Sequence, residues 1–164
     1  GLTGIANRRH FDDALAREWA RAQRAAAPLA LILLDVDVIK HFNDHYGHLA
    51  GDACLRTLAT TLAQVGARRE GELAARFGGE EFVVLLPGAD LAAAAEVARH
   101  VQEAIHQLAL PHEGAPHGIV TVSFGVASLQ PQRDQLPEEL VRRADRAMYR
   151  AKQGGRNRIE LAPA

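Results

Sequence analysis

Leu29-Ala30-Leu31-Ile32-Leu33-Leu34-Asp35-Val36-Asp37-Val38 is the stretch on which the fold turns. A strand with one face in water alternates apolar and polar residues. This run is apolar without a break as far as Leu34, so it reads as a central strand covered on both faces. The two-residue period of a strand puts Asp35 and Asp37 on the same side. Two carboxylates beside a leucine-rich run are unfavourable unless something compensates them. A divalent cation would do so, and hard carboxylate oxygens suit Mg²⁺ or Mn²⁺. The plainer explanation is that the strand emerges into water at Asp35. The pair alone does not decide, and its spacing does not choose between Asp35 and Asp37.

The rest of the chain supplies helices and further strands around this one. A helix is expected from Arg8 to Ala26, with Phe11, Leu15 and Trp19 four apart as core or interface. Lys40 to Tyr46 reads as a short helical piece and Gly51 to Val65 as a longer helix. Leu73 to Phe77 and Glu81 to Leu86 flank Gly78-Gly79 as a hairpin. Leu91 to Leu108 is an Ala-rich amphipathic helix, and Pro111 to Gly118 a loop. Ile119 to Ala127 is a strand, Leu136 to Lys152 a helix stopped by Gly154-Gly155, and Arg158 to Leu161 a last short strand. One mixed sheet with helices packed on it, an α+β fold, is the simplest architecture.

Composition sets the outer bounds. The 164 residues suit a single domain spanning residues 1–164. A formal net charge of -1 excludes a nucleic-acid binder that works by bulk positive charge. Cys54 is the only cysteine, so no internal disulfide forms; it reads as a packing residue in a reducing, cytoplasmic setting. No apolar run reaches membrane-spanning length, and no stretch reads as a secretory signal. The opening Gly1-Leu2-Thr3-Gly4, without Met, reads as part of a longer protein with a partner domain before it. Of 19 basic residues, 17 are Arg; Lys40 and Lys152 are the two Lys. Lys and Arg are not equivalent at every site, so these two are singled out.

Arg76-Phe77-Gly78-Gly79-Glu80-Glu81-Phe82 sharpens the chemistry. The glycines permit positive φ and let the backbone approach a bulky ligand. Adjacent glutamates repel unless a cation is near. A solvent-facing turn explains Gly-Gly but not Glu80-Glu81 between two phenylalanines.

This hairpin resembles the GGDEF family of diguanylate cyclases, in the Gly-Gly-Glu-Glu-Phe variant, and the resemblance runs along almost the whole chain. Leu2-Thr3-Gly4-Ile5-Ala6-Asn7-Arg8-Arg9 is similar to the family's opening motif without its leading Asp. Asp35-Val36-Asp37, Lys40, Asn43-Asp44, Gly47-His48 and Gly51-Asp52 resemble its second block. Thr121-Val122-Ser123 with Gly125, then Ala144-Asp145, Tyr149, Ala151-Lys152 and Gly155-Arg156-Asn157, resemble its later motifs.

The resemblance implies a mainly antiparallel sheet of ferredoxin-like, palm-like nucleotidyl cyclase architecture. It implies condensation of two GTP into cyclic di-GMP with release of two pyrophosphates. Metal ligands would be Asp35, the Val36 carbonyl and Glu80, holding Mg²⁺ or Mn²⁺, two per active site. That weights Asp35 and leaves Asp37 in support. Glu80 would also help deprotonate the attacking 3′-hydroxyl, with Glu81 a second acidic contributor and Lys40 offsetting charge at the α-phosphate. Asn43, His48 and Asp52 would line the guanine pocket, and Lys152 and Arg156 would contact the phosphates, forming with Lys40 a cationic grip separate from the acids. Gly78 and Gly79 would let the backbone meet the nucleotide. Each domain would hold one GTP, so turnover needs a homodimer. The preceding domain would be sensory or regulatory. Arg69-Glu70-Gly71-Glu72 stands where many members carry an inhibitory Arg-x-x-Asp site for the product, with Glu in place of Asp; Ile39 replaces the usual Phe.

Two other readings share features of this one. A non-catalytic GGDEF module would bind GTP or cyclic di-GMP and relay a signal; the intact Gly-Gly-Glu-Glu turn speaks against it. A polymerase-like or adenylate-cyclase-like enzyme shares the two-acid metal logic, and Asp52 and the closing motif disfavour it. His41, His45 and His48 fall at i, i+4 and i+7, a spacing zinc sites use, but Gly47 interrupts the stripe and no fourth ligand is evident.

Overall fold

In the computed structural model, which describes residues 5–163, the apolar run forms β1 (Leu29–Val36), every residue of it buried. Antiparallel neighbours lie on both sides, β3 (Glu81–Pro87) and β4 (Val122–Leu129). Beyond them are β2 (Leu73–Gly78), antiparallel to β3, and β5 (Ile159–Leu161), parallel to β4. The sheet order is β2-β3-β1-β4-β5, with the quoted run at its centre. This is the expected α+β fold with one mixed, mainly antiparallel sheet.

Helices cover both faces, which is why the central strand carries no polar alternation. Ala30, Ile32 and Leu34 join a core with Leu55, Leu58 and Leu62 of α3 (His48–Gly66) and Ala94, Ala98 and Val101 of α4 (Leu91–Leu108). Ile39 and Phe42 of α2 (Ile39–Tyr46) close one end of that core. Leu29, Leu31 and Leu33 face the other way, onto Phe11, Leu15 and Trp19 of α1 (Arg8–Ala25) and Leu140, Ala144 and Met148 of α5 (Glu138–Gln153). The aromatic stripe of α1 is therefore core. Asn7 and Asp90 start α1 and α4 by accepting the backbone N–H of His10 and Ala93, each at 2.8 Å.

Several boundaries differ from expectation, each for a local reason. β1 stops at Val36, because Val38 turns into the left-handed region at φ +47. α3 starts at His48 rather than Gly51, because Gly47, at φ +91, ends α2 and starts α3. That break also ends the histidine stripe, and His45 Nε2 lies 3.1 Å from Glu113 instead. β4 starts at Val122 rather than Ile119, since Val120 N–H closes the preceding loop onto Leu110 O. The family-like opening residues 1–4 lie outside the described residues. Among the described residues, no helix is long and apolar enough to cross a membrane.

One glycine sets the distance between sheet and helix. A Cβ on Gly125 would lie 2.1 Å from Ala144 O and 2.3 Å from Met148 N. β4 and α5 thus meet backbone to backbone, one helical turn before Lys152. Gly125→Ala must push α5 off the sheet, and we expect it to cost about 3 kcal/mol, measured by urea unfolding. Cys54 is buried, and burial pushes its thiol up to about 11. The native protein is expected to resist alkylation at neutral pH and the unfolded chain to take one equivalent, counted by intact mass.

Candidate active site

The alternation that sends Leu29, Leu31 and Leu33 toward α5 continues past the end of the apolar run. Asp35 and Asp37 therefore reach the same side, both buried, and the structure treats them differently. Asp37 accepts from Thr121 Oγ1 at 2.7 Å, Ser123 Oγ at 2.6 Å and the Asn157 backbone N–H at 3.0 Å. Its oxygens are occupied. Among the described residues Asp35 has a single side-chain partner, the Lys152 ammonium, brought in by the close packing of α5.

The charges around Asp35 are not balanced by that pair. Burial pushes the Asp35 carboxyl above its ordinary value; Glu80 and Asp37 push the same way, and Lys152 only partly offsets them. Glu81, opposite Asp35 in the β1–β3 register, is also raised, by burial and then by the Asp35 charge. Burial works against the Lys152 charge, but its hydrogen bond to Asp35 and the charges of Asp35, Glu81 and Glu80 outweigh it and hold the ammonium above its ordinary value. The expected separation of an acidic cluster from a cationic grip is thus corrected: Lys152 sits within the acids, because α5 reaches the sheet there.

A cavity of ≈ 180 Å³ gathers Asp35, Val36, Asp37, Val38, Ile39, Lys40, Glu80, Lys152 and Arg156. Larger grooves exist elsewhere, one of ≈ 620 Å³ between α1 and α5, but these acids converge on the small one. Arg156 comes from a reversal after α5 in which Gly155, Arg156 and Asn157 have φ of +117, +64 and +47. Asp37 holds that reversal through Asn157 N–H, and His106 Nε2 lies 2.8 Å from Asn157 Oδ1.

The glycine hairpin differs in detail from its expected form. Its tip is Gly79-Glu80, because a bulge between Arg76 and Gly78 lets Gly78 pair with Glu81. Neither Gly78 nor Gly79 has positive φ; instead the space where a Cβ would stand is open at both. Of the two reasons expected for glycine, conformational freedom is overturned and room above the turn remains. Arg76 donates to Gly79 O from Nε at 2.9 Å and Nη2 at 2.5 Å. Arg8 donates to Phe77 O at 3.1 Å and lies over the Phe77 ring. Sequence reasoning gave no role to Arg76, Thr121 or Ser123. Two hydroxyls on an otherwise apolar buried strand were the available signal for Thr121 and Ser123.

Asn43 lies against Gly51, where a Cβ would stand 1.8 Å from Asn43 Oδ1. That oxygen is buried without a hydrogen-bond partner among the described residues. Asp52 follows Gly51, and His48 is exposed at the start of α3; none of Asn43, His48 and Asp52 lines the acidic cavity. At the distant Arg69-x-x-Glu72 segment, Glu72 Oε1 accepts the Arg68 and Arg69 backbone N–H groups at 2.9 and 2.8 Å, beside a ≈ 570 Å³ groove.

The contrast between the two aspartates is measurable. Asp37→Ala strands two buried hydroxyls and one N–H, whereas Asp35→Ala relieves like-charge crowding. Asp37→Ala is expected to be the more destabilising by at least about 2 kcal/mol, compared by urea unfolding. Equal losses would contradict the division between them.

A sequence model described as "Diguanylate cyclase, GGDEF domain" matches residues 1–158. The chain is 40% identical over 161 residues to diguanylate cyclase DgcP of Pseudomonas aeruginosa, covering 98% of this chain and 23% of that one. It is 37% identical over 162 residues to the probable diguanylate cyclase DgcC of Escherichia coli, covering 99% and 42%. The chain thus spans less than half the length of either relative. Among solved structures, the GGDEF domain of DgcB from Caulobacter crescentus, in complex with c-di-GMP, superposes with a TM-score of 0.89 at 36% identity, covering 100% of this chain and 92% of that one. The palm-like cyclase architecture expected from the motifs is the fold of these neighbours, and the chain belongs to the GGDEF family of diguanylate cyclase domains.

Proposed function

We propose that this domain condenses two GTP into cyclic di-GMP across a homodimer. The observation that carries the reading is the convergence of Asp35, Val36, Glu80, Lys40, Lys152 and Arg156 on one cavity. Each 3′-hydroxyl oxygen bonds to the α-phosphorus of the other nucleotide, the bond to pyrophosphate breaks, and the hydroxyl proton passes to a base.

The donor set fits Mg²⁺ or Mn²⁺. Asp35 and Glu80 offer two carboxylates and Val36 a carbonyl, all hard oxygens. Among the described residues no group of three or more His, Cys, Asp or Glu forms a complete cage. Mg²⁺ suits such an open set, since it is commonly held by one or two carboxylates together with substrate phosphates and water. When bound, two such ions would neutralise phosphate charge and acidify the 3′-hydroxyl. Glu80 is the candidate to receive that proton, with Glu81 beside it. Lys40, Lys152 and Arg156 bind and orient the triphosphate, Lys152 exchanging its carboxylate partner for phosphate oxygens. Asp52 accepts from the guanine N1–H and 2-amino groups, donors adenine lacks, which selects GTP. With Asn43 Oδ1 turned in against Gly51, its Nδ2 remains to donate to a base or ribose acceptor; His48 lies beside them. The open space over Gly78 and Gly79 admits the nucleotide.

The test is to incubate the protein with Mg²⁺ and each nucleoside triphosphate and identify products by mass. Cyclic di-GMP is expected from GTP alone, with specific activity falling on dilution as the dimer dissociates. Glu80→Ala is expected to abolish synthesis while the unfolding transition is retained. Undiminished synthesis by Glu80→Ala contradicts the metal assignment. Nucleotide binding without turnover, even in a forced dimer, supports the signal-relaying module instead.

A further inference from the structure

The turn between β1 and α2 is held by a residue that the site's own motifs do not include. Val38 has φ +47 and ψ +38, a left-handed conformation unusual for a β-branched residue. It starts α2 without a side-chain cap, and it lines the acidic cavity between Asp37 and Lys40. Backbone of this kind persists only where its surroundings over-determine it. Asp37 fixes one side through its three hydrogen bonds. The other side meets His112, from the loop between α4 and β4.

His112 is fully buried, and its Nε2 lies 3.2 Å from Val38 O. A carbonyl only accepts, so Nε2 carries the proton and donates. The same oxygen accepts Phe42 N–H at 3.1 Å, the first helical bond of α2. Among the described residues, His112 Nδ1 is buried with no partner. A proton there would be stranded as well, which again assigns the Nε2–H tautomer. The ring stands edge-on to Phe42, with centroids 5.3 Å apart at 89°. Its loop is closed by His112 N–H to Gly118 O at 2.9 Å and tied to α2 by Glu113 N–H to Tyr46 Oη at 3.1 Å.

We propose that His112 is a positioning residue for the cavity: by holding the Val38 carbonyl it keeps the Val36 carbonyl and Lys40 aimed at the Mg²⁺–triphosphate. It contacts no substrate itself. The proposal rests on the reading that this cavity takes a Mg²⁺-bound nucleoside triphosphate.

The test uses the whole chain with His112→Phe, which keeps an aromatic ring without a donor. His112→Gln places an amide N–H at about the reach of Nε2, and His112→Asn is too short. Binding of 3′-deoxy-GTP, which lacks the attacking hydroxyl, is followed by calorimetry with and without Mg²⁺. Imidazole ¹⁵N spectra read the tautomer of the wild type. The expected result is an Nε2–H signal and about 10- to 100-fold weaker Mg²⁺-dependent binding by His112→Phe, the loss usual for groups that orient metal ligands. Glutamine is expected to restore most of it and asparagine little. Wild-type affinity in His112→Phe, equal behaviour of Gln and Asn, or an Nδ1–H spectrum overturns the proposal. If the Phe variant fails to fold, the Gln–Asn difference and the spectrum decide. A wild type that binds no Mg²⁺–nucleotide overturns the functional reading and this proposal with it; wild-type binding with indifferent variants overturns the proposal alone.

Discussion

Two carboxylates at the end of a fully buried strand are the constraint around which the site is arranged. An apolar core gives Asp35 and Asp37 no solvation, so each needs a partner from elsewhere in the chain. Asp37 obtains one hydroxyl from Ser123 on β4, another from Thr121 just before it, and an N–H from the turn after α5. Asp35 obtains one ammonium and remains crowded by Glu80, Glu81 and Asp37. The first arrangement is structural and satisfied. The second is charged and incomplete, and the proposed cation site is argued from that imbalance.

The remaining features deliver groups to that point. The backbone contact at Gly125 lets α5 approach closely enough for Lys152 to reach Asp35. The left-handed reversal at Gly155 to Asn157 returns Arg156 to the same cavity, and Asp37 fixes the reversal. The bulge at Phe77 and the Arg76 clamp on Gly79 fix the hairpin tip that carries Glu80. Each is a local departure from regular geometry. Together they collect groups from three separated stretches of the chain, residues 35–40, Glu80 and residues 152–156, on one small cavity.

The fold was legible because its signals are periodic. The unbroken run from Leu29 announced a doubly covered strand, the four-residue spacing of Phe11, Leu15 and Trp19 a buried helix face, and Gly78-Gly79 a hairpin. Boundaries were less legible at Val38 and Gly47, where backbone torsion rather than hydrophobicity ends an element. The acids of the cavity were legible as a pattern, and the resemblance weighted Asp35 over Asp37, but the hydrogen bonds that satisfy Asp37 were not legible. Those depend on Thr121 and Ser123, which meet Asp37 only after the sheet forms. His112 left no mark in the sequence, because its contact with Val38 spans 74 positions and its loop has no periodicity.

In the proposed function, Asp35 and Glu80 form an incomplete oxygen site completed by a cation and a triphosphate. Mn²⁺ titration followed by electron paramagnetic resonance, with 3′-deoxy-GTP present, tests it most directly. The wild-type chain is expected to remove Mn²⁺ from the free signal beyond what the nucleotide alone does, and the doubly substituted Asp35→Asn, Glu80→Gln chain is not. Equal Mn²⁺ uptake by both proteins would contradict it.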